Sequence, residues 1–165
     1  VASSPFDAAA ARGLRRYVRL VTAAVGPAVD TAAVHWDHPA TACLVLTGRL
    51  RWFPGRDVAL AWDGKHGWAM VLVTPATGAL VALRYQGTDV LPVPQDVAAF
   101  SAGLFRDEFP GLPDPPPGRG AAHAREVARR LAAYAVPGRG RHLTGRGAAA
   151  PVHLYGVITS RRDPA

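Results

Sequence analysis

"VALAWDGKHGWAMVLV", residues 58–73, decides how the rest of the chain is read. Two apolar runs, 57–62 and 67–73, flank Asp63-Gly64-Lys65-His66-Gly67, and these five residues have the composition of a tight turn. The stretch therefore reads as a β-hairpin with a polar corner. If the corner closes so that Trp62 faces Trp68, then Leu60 faces Met70 and Val58 faces Leu72, and one sheet face carries the bulk. A further hairpin through "TPATG", 74–78, would set Trp68 beside Arg84 and Leu72 beside Leu80. The opposite face then holds Ala59, Ala61, Ala69, Val71, Val73, Val81 and Leu83. Its small side chains would let helices lie close, which makes it the expected core. Leu60, Trp62, Trp68, Met70 and Arg84 are then the expected ligand or partner surface, because monomers seldom leave a large apolar patch bare. A sheet buried on both faces is the competing expectation.

Working outward, "TACLVLT" at 41–47 and "ALVALRY" at 79–85 add a strand on each side, each bounded by turn residues. Short links make the sheet an antiparallel meander of four strands. Ahead of it, "SSPFDAAAARGLRRYVRLVTAAVGP" has Ser4 to cap, Pro5 at a first helical position and Asp7 in the first turn. Leu14, Tyr17, Val18, Val21 and Val25 recur at helical spacing, and Gly26-Pro27 ends the pattern. Behind the sheet, "QDVAAFSAGLF" predicts a second helix from Pro94, with Val97, Phe100 and Leu104 on one face. The expectation is an α+β domain over 1–113, in the order α-β-β-β-β-α.

Residues 1–113 hold ten Lys/Arg against nine Asp/Glu, whereas 114–165 hold nine against three, so the excess charge is carried mainly by a Pro/Gly/Arg-rich tail. Within that tail a short helix is expected at 123–135 and a late strand at 151–159. The "GRG" triplets at 118, 138 and 145 would make any nucleic-acid binding tail-borne and nonspecific, through arginine–phosphate contacts. Eighteen of the nineteen cations are arginine, alongside abundant Ala, Gly and Pro, and GC-rich coding accounts for that composition without nucleic acid. Aromatics are not regularly interleaved to stack bases, which favours a flexible tail instead. No apolar stretch approaches the roughly 20 residues that span a bilayer. The lone Cys43 fits a reducing compartment, and a cytoplasmic protein is expected.

The segments "LRRYVRLV", "DHPATACLVLTGRL", "FPGRDVALAWDGKHGWAMVL" and "DVLPVPQDVAAF" together resemble an actinobacterial domain-of-unknown-function family, over roughly residues 12–106. The resemblance implies a small cytoplasmic α+β module and transfers no activity, cofactor or catalytic residue.

Chemistry is sparse. "HWDHP" places His35, Asp37 and His38 close together, but Pro39 works against a helix aiming both histidines at one metal, so a polar turn is expected and no metal. Cys43 sits inside "CLVL", the setting of a buried, inert thiol. Ser101 lies on a predicted helix, not on a nucleophile elbow. Asp57 and Asp63 stand about 20 Å apart on one strand, too far for a paired-carboxylate mechanism. Arg49, Arg51 and Arg56 fall on a loop and read as solvated charges. With no cofactor expected, two functions stay open. One is a noncatalytic interaction or regulatory module that binds a protein partner through the aromatic sheet face. The other is a small pocket protein, a cyclase- or isomerase-type enzyme or a binder of a small apolar or anionic ligand on that same face.

Overall fold

The computed structural model describes residues 5–37, 39–117 and 120–136. Helix α1 (Pro5–Val25) runs through a short 3-10 turn into strand β1 (Val29–His35). Strands β2 (Thr41–Leu46), β3 (Asp57–Asp63), β4 (Gly67–Val73) and β5 (Leu80–Tyr85) follow, then helices α2 (Pro94–Phe105) and α3 (Ala121–Tyr134). The five strands pair in chain order as one antiparallel sheet. The α+β class and the meander are as expected, but the sheet has five strands and not four. The additional strand is β1, "VDTAAVH", whose alanines and Asp30 carry little strand propensity. It is held by pairing with β2 from Ala32↔Leu44 to His35↔Thr41.

The β3–β4 register is the expected one, with Trp62↔Trp68, Leu60↔Met70 and Val58↔Leu72. The β4–β5 register differs from the expected one: Arg84 pairs with Met70 instead of Trp68, and beyond an irregularity after Met70, Leu72 pairs with Val81 and Val73 with Leu80. A one-residue bulge reverses the parity of everything beyond it. Val81 therefore lies opposite Leu72, and Leu83 packs against the main core instead of the alanine face.

The helices also cover the opposite face from the one expected. Leu60, Trp62, Trp68 and Met70 are 0–1 % exposed and join Leu14, Tyr17, Val21, Val97 and Phe100 in one cluster. Magnitude explains the choice of face. At ~25 cal/mol per Å² and 150–250 Å² per ring, covering a tryptophan contributes about 4–6 kcal/mol, against roughly 0.8 kcal/mol for each methylene-sized group on the alanine face. The small-residue face is buried as well, with Cys43, Ala59, Ala61, Ala69 and Val71 in a second cluster bordered by Leu112.

Helix α3 spans close to the predicted residues, but it belongs to the main core. It packs along α1 and contributes Val127 and Leu131 to the same cluster. A boundary at 113 therefore does not separate it from the core. The late strand expected at 151–159, the triplets at 138 and 145, and the first two residues of the triplet at 118 lie outside the described residues. No helix among the described residues is long and apolar enough to cross a membrane.

Candidate functional site

The segment between β5 and α2 straps the buried tryptophans and satisfies their polar edges. Trp62 Nε1 donates to the Val90 carbonyl at 2.7 Å, Trp68 Nε1 donates to Tyr17 Oη at 3.1 Å, and Tyr17 in turn donates to the Pro92 carbonyl at 2.6 Å. Burial holds the Tyr17 phenol neutral well above the usual range. Arg130 of α3 closes the strap from outside, reaching both Asp89 oxygens at 2.7 and 3.1 Å and the Leu91 carbonyl at 3.0 Å.

The corner is a structural device. Asp63 Oδ1 accepts the backbone N–H groups of Lys65 and His66, both at 2.7 Å, and its Oδ2 meets His66 Nδ1 at 3.1 Å. Gly67 follows with φ +77°, a conformation that glycine adopts without the Cβ penalty. The Asp63 carboxylate and the His66 ring thus go into closing the turn.

Beside this corner a largely apolar cleft of about 680 Å³ opens between α3, the start of α1 and the ends of the β1–β2 and β3–β4 hairpins. Trp62 forms its floor and Trp36 a side wall, with Ala124, Val127, Ala128 and Leu131 supplied by α3. Four charged side chains of both signs, Asp7, Asp37, Lys65 and Arg125, stand around it. His123 of α3 also lines it. The geometry suits a ligand with a flat apolar body and a polar end, since aromatic walls provide contact area and rim charges fix orientation.

Of the five residues expected to form the binding face, only Trp62 borders this cleft. Leu60, Trp68 and Met70 are sealed beneath the helices and present no open surface. Arg84 neither stacks on Trp68 nor lines the cleft. Its Nε and Nη2 donate to the Pro110 and Gly111 carbonyls at 2.9 and 2.7 Å, pinning the loop after α2. In "HWDHP", His35 ends β1 and Asp37 lines the cleft, while His38 lies outside the described residues. Among the described residues no group of three or more His, Cys, Asp or Glu is arranged to hold a metal ion. Cys43 is buried, which pushes its thiol up to about 11, so it is protonated and unreactive at neutral pH. Trp36 and the α3 wall are the site residues that sequence reasoning missed. The first was overlooked between two histidines weighed as ligands, and the second was assigned to a tail.

No curated protein and no solved structure matches the chain. The profile of one family, described as a family of unknown function (DUF6292), matches residues 17–103, from the middle of α1 almost to the end of α2. This match spans more than half of the chain and includes the whole sheet, so the protein belongs to the DUF6292 family of unknown function.

Proposed function

We propose that this is a cytoplasmic module that binds a small, largely apolar molecule in the cleft between α3 and the hairpin ends. The observation that carries the reading is the cleft itself: about 680 Å³, walled by Trp36 and Trp62 and edged by charges. Clefts of roughly 300–1,000 Å³ with apolar walls and few polar groups are the usual form of small-molecule sites. The tryptophan face cannot serve as an open docking surface while α1, α2 and α3 sit on it, which favours the pocket reading over a partner bound to the sheet. Binding without chemistry fits the lining best. The strongest polar contacts nearby, Asp63 with the corner and Arg130 with Asp89, serve structure.

Titration of the full chain with anilinonaphthalene sulfonate, an apolar ring system bearing one anion, tests this. Saturable binding at one site is expected, with a change in tryptophan emission from Trp36 and Trp62. Ala124 is an exposed wall residue, so Ala124→Trp should fill the cleft without disturbing the core and weaken binding about tenfold. Equal affinity in the variant, or binding that never saturates, would overturn the reading.

A further inference from the structure

A second aromatic surface lies on the far side of the molecule, where the β2–β3 loop meets the loop after α2. Trp52 is 65 % exposed, Phe109 50 % and Phe53 36 %. They wall a groove of about 220 Å³ floored by Leu50, Leu83 and Leu104, with room for one large apolar side chain. Three exposed aromatics around a preformed groove are more than the scattered apolar residues any surface carries.

The backbone supports a role beyond packing. Asp107 and Phe109 both have positive φ, 59° and 50°. The first is accounted for by the end of α2, where the Glu108 N–H bonds the Gly103 carbonyl at 2.9 Å in the manner of a left-handed helix cap. The second has no such account. A phenylalanine in the left-handed region costs on the order of 1–3 kcal/mol, and the following Pro110 restricts it further toward extended conformations. Burial does not offset that cost, because half of the residue's surface faces water. The strained residue lines the groove together with Trp52, and Arg84 locks the next two carbonyls in position.

We infer that this groove docks an acidic peptide segment of another protein, with one aromatic or leucine side chain inserted between Trp52 and Phe109 and carboxylates meeting Arg51 and Arg56. Charge complementarity selects this occupant. Arg49 and Arg106 are already engaged, at 2.5 Å with Asp57 and 2.7 Å with Glu108. Arg51 makes only a loose 3.5 Å contact with Asp107, and the Arg56 guanidinium has no bonding partner among the described residues. Two available cations beside one apolar groove suit a short peptide with a single anchor. A single-stranded nucleic acid fits less well, because Asp57, Asp107 and Glu108 would face a charged phosphate chain and the groove offers one insertion point instead of a stacking track.

Selection of a random dodecapeptide phage library on the full chain, with affinities of the synthesised consensus peptides measured by fluorescence polarisation, decides the matter. The expected consensus is one Phe, Trp or Leu flanked by Asp or Glu, with binding that weakens as salt rises. Trp52→Ala and Phe109→Ala should each weaken it about tenfold, and Arg51→Glu with Arg56→Glu should weaken it and flatten the salt dependence. The melting temperatures of these surface variants should stay close to that of the parent, and Ala124→Trp should leave peptide binding unchanged. The inference is overturned if no acid-flanked consensus emerges, or if the consensus peptides bind Trp52→Ala as well as the parent. It is equally overturned if oligothymidylate binds through these same residues, or if Trp52→Ala converts a homodimer to monomer in sedimentation.

Discussion

Tyr17 joins the first helix to the strap by one hydroxyl, accepting from Trp68 and donating to Pro92, so a single oxygen satisfies an indole and a carbonyl that would otherwise be buried unpaired. Groups left in that condition cost about 1–3 kcal/mol each, which is why the bulky face tolerates two tryptophans at its centre. Cys43, on the other sheet face, shows the same environment acting on a titratable group. Burial raises its thiol from 9.0 to about 11. The folded state therefore holds the proton more tightly than the unfolded chain, and the sign follows. The contribution to stability is complete below pH 9 and is lost as the pH climbs toward 11. Thermal melts of the parent and Cys43→Ala at pH 8 and pH 10.5 should show the parent losing more of its melting temperature than the variant over that range. A difference between the two proteins that does not change with pH would rule out Cys43 as a source of alkaline sensitivity.

At the scale of elements, the closest approach is between α1 and α3, and it depends on Gly13. A Cβ at that position would strike the Leu131 carbonyl oxygen, which is backbone and cannot swing aside. In an exposed helix, Gly→Ala would stabilise by roughly 1 kcal/mol through helix propensity. Here the helices must separate, and overpacking of this kind costs typically about 1–3 kcal/mol, so Gly13→Ala should lower stability despite the better helix former. Chemical denaturation reads the sign directly, and a stabilised variant would mean that α3 is not seated on α1. The same helix pair shows where sequence reading stops. The 3.6-residue period made α1 and α2 legible, and the two-residue period and turn residues did so for β2 to β5. Strand β1 was hidden because alanine and aspartate give no alternating signal, and pairing with β2 supplies what propensity lacks. Periodicity also divides a sheet into two faces without saying which one the helices take, so the tryptophans were recognised as a group and placed on the wrong side of the packing. Within the cleft only Trp62 was legible, since Trp36 and the α3 wall reach it through tertiary folding alone.

For the whole molecule, the consequence is that α3 completes both the core and the cleft. Val127 and Leu131 are 4 % and 1 % exposed, the Tyr134 ring meets Tyr17 in a tilted contact at 5.1 Å, and Arg130 clamps the strap over Trp62. Burying two such aliphatic side chains contributes about 3–6 kcal/mol, comparable with the net stability of roughly 5–15 kcal/mol that a domain retains. Removing α3 also bares Leu14 and Tyr17 beneath it. A fragment ending at residue 117 should therefore melt without a cooperative transition or at a much lower temperature, whereas one ending at residue 136 should keep the transition of the full chain. This reverses what the Pro- and Gly-rich join at 113–120 suggested from sequence, where a change in composition looked like the edge of the folded unit. Calorimetry on the two fragments separates the possibilities. If the fragment ending at 117 melts like the longer one, α3 is an appendage and the cleft has lost the wall on which its affinity was argued. If only the longer fragment folds, the join is an internal loop that carries the last helix back onto the first.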